Sequence, residues 1–308
     1  MIPRATLIAV LVGVEVAIVG SMINAVHGGG AFPAGAAEPA PAAQPAYHFT
    51  TGAASALVVD APGVDVTIET QSAPRIDVGI RTEREGIVYG SPPVVTARDD
   101  AGTIRVSATR ASHVSVLFGD ASTHVDIAVP ADTPVTVVHA GAIALTGLNA
   151  VASLNSDDGS IHVSRFRGNL TATSADGRIE ISDADCPTLH VAAGDGRVIL
   201  SRVTAAQIDA SSASGRVVGT GLQLRDGRVS SADGRVILGF RSGSDTTVTA
   251  VTNDGSVRVS GFTATGDQAK SAGGDDDAPA ATTVRVGAGN GRLDVHASSG
   301  SIELTQEG

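Results

Sequence analysis

From Tyr47 onward, short runs of alternating hydrophobic and polar residues dominate the chain, and between Asp158 and Gly239 they fall into a repeat. Asp158-Gly159-Ser160-Ile161 returns as Asp176-Gly177-Arg178-Ile179, Asp195-Gly196-Arg197-Val198, Ser214-Gly215-Arg216-Val217 and Asp233-Gly234-Arg235-Val236, at steps of 18, 19, 19 and 19 residues. Counting each unit from its Asp, position 4 is Ile143, Ile161, Ile179, Val198, Val217, Val236, Val257 and Leu293. Position 6 is Leu145, Val163, Ile181, Leu200, Gly219, Leu238, Val259 and Val295. A period of two puts both positions on one side of a strand, so they predict two inward stripes. A second strand follows in each unit, at Leu170, Leu189-Val191, Ile208-Ala210, Val229, Val248 and Val284-Val286, ending with Ile302-Leu304. Each unit therefore reads as two short strands and two turns, one turn always at the Asp-Gly.

Strand pairs recurring at this period predict an all-β fold, a β-solenoid of parallel rungs ~4.8 Å apart. A propeller needs about 40 residues per blade, and a hexapeptide helix needs an inner period of about 6. A sandwich of hairpins at the Asp-Gly turns stays compatible with the turn chemistry. Recurrence of identical positions favours the solenoid, which requires it.

The regular solenoid is expected over residues 140–308. Residues 47–139 alternate at irregular spacing and read as either a small sheet domain or the atypical capping end of the same solenoid. The step from Gly255 to Gly291 is 36 residues, close to two periods, and Thr265 to Ala281 inside it has no strand pattern. That acidic stretch is expected to be a disordered insert. The last unit, Asn290 to Leu304, reads as a shortened cap.

Upstream, Ala5 to Val26 is an apolar run of 22 residues behind Arg4. At about 1.5 Å per residue it spans a hydrocarbon layer. Residues 1–27 therefore predict an uncleaved transmembrane signal anchor, with the N-terminus cytoplasmic and the rest extracytoplasmic. Glu15 falls in mid-span, where it is expected protonated or paired with another membrane helix. Residues 28–46, rich in Pro and Ala, read as a linker.

Composition narrows the function. A formal net charge of −11 argues against nucleic acid, which demands clustered Lys and Arg. With Cys186 the only cysteine, no intramolecular disulfide exists, and a buried inert thiol is expected. No nucleotide loop, nucleophile elbow or metalloprotease motif occurs. Six histidines, His113, His124, His139, His162, His190 and His296, stand singly on strands where alternation faces them to solvent. The Asp275 to Asp277 run lacks the nine-residue period of calcium β-rolls. No enzyme, cofactor or metal site is expected.

Two features of the repeat remain as candidate sites. Asp176, Arg178, Asp195, Arg197, Arg216, Asp233 and Arg235 form a charge ladder. Its four stacked arginines are read as balanced by the neighbouring Asp row, or as a strip that recognises carboxylates or sulfates of a polysaccharide. Position 5 should face outward, yet it is Ile199, Val218 and Ile237 in the middle units, with Glu180 below and Arg258 above. That apolar strip is expected to dock a partner protein or a second copy, or to lie under another part of the chain.

Several stretches also resemble a known family. The runs Leu57 to Glu69, Asp126 to Pro130 and Thr136 to Leu148, with the Asp-Gly-Arg-Val series, look like the bacterial putative-adhesin, or toastrack, β-repeat domains of unknown function. The similarity covers about Leu57 to Leu304. It implies a non-catalytic extracytoplasmic domain, often membrane-tethered and associated with adhesion or envelope-stress signalling. The sequence therefore predicts a membrane-tethered binding or scaffold module whose partner is an envelope protein, a second copy or a surface polysaccharide. The alternatives from other classes are an accessory sensor of envelope stress and a β-helix polysaccharide lyase or hydrolase.

Overall fold

The computed structural model describes residues 47–50, 55–89, 93–109, 115–262 and 280–307, and their regular structure is entirely β. The expected anchor (1–27) and linker (28–46) lie outside the described residues. Among the described ones, no helix is long and apolar enough to cross a membrane.

The middle of the stack comprises β10 (Ala152–Ser156), β11 (Ile161–Arg167), β12 (Leu170–Ser174), the 15-residue strands β13 (Ile179–Ala193), β14 (Val198–Ser212) and β15 (Val217–Ser231), and β16 (Val236–Phe240). All pair in parallel. On one side, ladder I, Leu170 meets Leu189, Leu189 meets Ile208, and Ala210 meets Val229. On the other, ladder II, Ile161 meets Ile179, Ile179 meets Val198, Val198 meets Val217, and Val217 meets Val236. Equivalent residues of successive units thus stack in register, as a solenoid requires and a hairpin sandwich does not. These stripes are fully buried, each large side chain contributing about 1.5–3 kcal/mol.

Two strands per unit is a correct reading only outside the middle rungs. There, β13 and β14 run on through Asp183 (φ 53°) and Arg202 (φ 54°). A left-handed residue redirects the chain without interrupting its pairing. A third, short ladder results, in which Phe166 meets Ala184, Ala184 meets Val203, Cys186 meets Ala205, and Leu222 meets Phe240. All of these side chains are buried. Alternation alone does not reveal the bend, because charged residues occupy it.

The described strands of residues 47–139 belong to the same sheet as the later rungs rather than to a separate one. β2 (Ala56–Asp60) lies in ladder I between β6 (Thr103–Ala108) and β8 (Val135–Ala140). β3 (Asp65–Gln71) lies in ladder II between β7 (Ser115–Pro130) and β9 (Ile143–Thr146). Antiparallel strands finish this end: β4 (Arg75–Tyr89) on β7, β1 (Tyr47–Thr50) on β4, and β5 (Val95–Asp100) on β6.

The C-terminal end corrects a second expectation. β17 (Thr246–Thr252) and β18 (Val257–Ser260) form an outer rung, with β19 (Ala280–Val286) antiparallel on β17. The last strands in sequence, β20 (Gly291–Ala297) and β21 (Ile302–Gln306), then turn inward. β20 pairs with both β15 and β17, and β21 with both β16 and β18. Asn290 to Leu304 is therefore an interior rung, not a cap. Its phase also differs from the reading above: Ile302 and Leu304 stack on Val236 and Leu238, while Leu293 and Val295 stack on Gly227 and Val229. Asn290-Gly291 imitates the repeat's turn dipeptide, but the turn that closes this rung is Ser298-Ser299-Gly300. Asp226 accepts the Arg292 amide at 2.8 Å and Asp245 accepts the Asn290 side-chain amide at 2.7 Å, latching the rung on both sides. Of the expected acidic insert, residues 265–279 lie outside the described residues, whereas Ala280 and Ala281 belong to β19.

The Asp-Gly turns stack too closely for any side chain at the glycine. A Cβ on Gly196 would overlap the Gly177 carbonyl oxygen, and one on Gly215 the Gly196 oxygen. A buried serine three residues earlier ties turn to turn. Ser174 Oγ accepts the Gly177 amide at 2.9 Å and donates to the Gly159 carbonyl at 3.1 Å; Ser231 repeats this with Gly234 and Gly215.

Candidate binding face

The outer side of ladder II carries columns of like residues, because register stacks each repeat position on the one below. At the turn edge, backbone hydrogen bonds to the carbonyls of Ser160, Arg178, Arg197, Arg216, Arg235, Ser301 and Ser256 fix one such column. Its four arginines are exposed and consecutive. Asp176, Asp195 and Asp233 sit in the adjoining turns, also exposed. Among the described residues, no ion pair joins any of these acids to any of the four guanidiniums. Unit charges ~4.8 Å apart repel by about 1 kcal/mol even in water. The column is a row of four like charges, beside but not paired with the acids of the turns, on a chain whose net charge is −11.

Two residues along each strand, alternation returns to the same side. The column there reads His162, Glu180, Ile199, Val218, Ile237, Glu303 and Arg258. Ile199, Val218 and Ile237 are contiguous and half-buried. The inserted rung changes their border, so that Glu303 and not Arg258 lies next to Ile237. The acidic ends Glu180 and Glu303 bracket the apolar strip.

A third column, two residues further, was not anticipated. It runs Thr146, Ser164, Ser182, Ser201 and Thr220 in register. Thr146 and Ser164 hydroxyls hydrogen-bond at 3.0 Å. Ser and Thr are frequent throughout the chain, and only the observed register shows that these five align.

The bend closes the face. Gly147, Arg165, Asp183, Arg202 and Gly221, one per rung, all have positive φ. Holding a non-glycine residue there costs on the order of 1 kcal/mol or more. Arg202 grips Asp183 of the preceding rung with both arms, Nε to Oδ1 at 2.6 Å and Nη2 to Oδ2 at 2.8 Å. That bond holds the Asp183 carboxyl below its ordinary value, against a smaller upward push from burial, with the Arg202 and Arg165 charges helping. Arg165, Arg167, Asp183, Asp185 and Asn149 line a shallow depression of about 640 Å³ beside the bend.

Elsewhere the chemistry is sparse. Burial, with the neighbouring Asp185 charge, pushes the Cys186 thiol up to about 12. His124, His139, His162 and His190 each stand across a rung from one carboxylate, of Asp65, Asp60, Glu180 and Asp209. His113 lies outside the described residues. Among those described, no three His, Cys, Asp or Glu gather as a metal site.

A family model described as Toastrack DUF4097 matches residues 54–305. No match is found among curated proteins. Among solved structures the chain is similar to a "putative adhesin" from Bacteroides fragilis, at 13% identity and TM-score 0.43, covering 85% of this chain and 96% of that one. A "putative adhesin" from Parabacteroides distasonis aligns at 12% identity and TM-score 0.44, over 84% and 96% of the two chains. A "Putative lipid binding protein" from the same species aligns at 10% identity and TM-score 0.41, over 86% and 96%.

Proposed function

Because the chain belongs to the toastrack DUF4097 family, we propose that it is a non-enzymatic binding module of the bacterial envelope, held to the membrane by residues 5–26 with its β stack extracytoplasmic. The apolar run behind Arg4 and the Pro/Ala-rich tether support the placement. One observation carries the reading of binding over catalysis. The conspicuous side chains of ladder II form uninterrupted columns across several rungs, with Ile199, Val218 and Ile237 in the middle, rather than converging on one point. Catalysis needs convergent groups around a reacting atom, whereas columns suit an extended partner.

Cross-linking of the membrane-held full chain to other envelope components tests this. Val218→Asp places a charge in the middle of the strip and should abolish the cross-linked adducts while leaving the circular dichroism spectrum unchanged. Equal adduct yields from both proteins would refute the face as the binding surface.

A further inference from the structure

Resting on that reading of the face, we infer that its ligand is a linear acidic glycan lying along the stacking axis, its anionic groups on the arginine column of Arg178, Arg197, Arg216 and Arg235. Three observations converge on this class. The guanidiniums have no ion-pair partner among the described residues, so their charge is available to a ligand. They recur at ~4.8 Å over about 14 Å, a straight row that suits a polymer with one anionic group per sugar. A planar guanidinium also pairs with carboxylate or sulfate through two parallel hydrogen bonds.

The other two columns distinguish a glycan from a bare polyanion. A sugar ring presents C–H faces as well as hydroxyls, and the face supplies a match for each beside the charge. Ile199 and Val218 lie two residues from Arg197 and Arg216 on the same strands. Ser201 and Thr220 lie two residues further. The two middle rungs therefore each offer a cation, an apolar side chain and a hydroxyl in line across their width. The bracketing Glu180 and Glu303 oppose an anionic chain that slips sideways onto the apolar column's ends. The net charge of −11 works in the same direction, repelling polyanions from the rest of the surface.

Binding of the purified full chain is measured against sodium polygalacturonate and chondroitin sulfate, with neutral dextran and sodium polyglutamate as controls. The expected result is salt-sensitive binding to at least one acidic glycan and none to dextran. Polyglutamate should bind at least about tenfold more weakly. The double variant R197Q/R216Q should weaken glycan binding by about tenfold or more with an unchanged unfolding midpoint. Failure to bind either acidic glycan, equal binding of the double variant, or equal affinity for polyglutamate would each overturn the inference. If cross-linking to envelope components still depends on Val218 in that case, the binding face stands and only its ligand is wrong.

Discussion

Ser212 on one rung donates its hydroxyl to the carbonyl of Gly196 on the rung below at 2.9 Å, while accepting the amide of Gly215 in its own turn at 2.9 Å. The serine side chain is buried, so water cannot replace either bond. Ser212→Ala should therefore cost about 1–3 kcal/mol, read from the urea midpoint. Ala193 occupies the same place one rung earlier and makes neither bond. Ala193→Ser should add both and stabilise by about 0.5–1.5 kcal/mol.

Gly215→Ala is the sharper perturbation. The new methyl would overlap the backbone oxygen of Gly196, which no rotamer change can move. Overpacking of this kind costs about 1–3 kcal/mol or more. We expect a lower thermal midpoint than for Ser212→Ala, or loss of the folded protein from the soluble fraction.

The Asp183–Arg202 pair predicts a specific acid response. Arg202 lowers the carboxyl's folded value. A group of that sign stabilises above its unfolded value, about 3.9, and the contribution disappears as pH falls through the folded one. Arg202→Gln should lower stability above about pH 4, and its deficit against the parent should vanish as pH falls further, so that the acid limb of the variant's stability profile is flatter. Both side chains are exposed, so added salt should shrink the difference.

Cys186 should be silent toward thiol reagents. Only the thiolate attacks, and with the thiol pushed up to about 12 and buried, almost none exists at neutral pH. Modification in native buffer should proceed only as fast as the protein opens. Raising urea should accelerate it in step with unfolding.

A chain ended at Gly289 tests the inserted rung. It would lose β20 and β21, leaving Gly227 to Ser231 of β15 and the whole of β16 without a neighbour on one side. We expect β17 to β19 to detach with the missing rung, and the exposed strand edges to drive self-association. A true terminal cap would be removed at far smaller cost, with the rest of the stack remaining monomeric by sedimentation.

The repeat made the parallel stack legible because its spacing is fixed by something rigid, the contact between successive turn glycines. Ile199, Val218 and Ile237 could be named in advance because alternation assigns them to the outside, where their apolarity is unexpected. The serine tie was overlooked, since Ser174, Ser212 and Ser231 fall just before the conspicuous dipeptide and serine is common in this chain. The bend is hard to see in the sequence, because Gly147, Asp183 and Gly221 suit a left-handed backbone but Arg165 and Arg202 hold the same place in other rungs. The inserted rung was hidden for a different reason. Asn290-Gly291 mimics the repeat, and pairing order is a property of space that no local pattern encodes.

That pairing order bears on how the chain can be made. Rungs that follow one another in sequence could fold as they leave the ribosome, each templating the next. Here β2 and β3 gain their first ladder neighbours only when β6 and β7 arrive and their second with β8 and β9, and the gap beside β15 and β16 is filled by β20 and β21, made after β17 to β19. The stack is therefore complete at this place only after residues 291–306 have been made. Rungs gained or lost during evolution should accordingly fall between Asp176 and Gly239, where sequence order and stacking order still coincide.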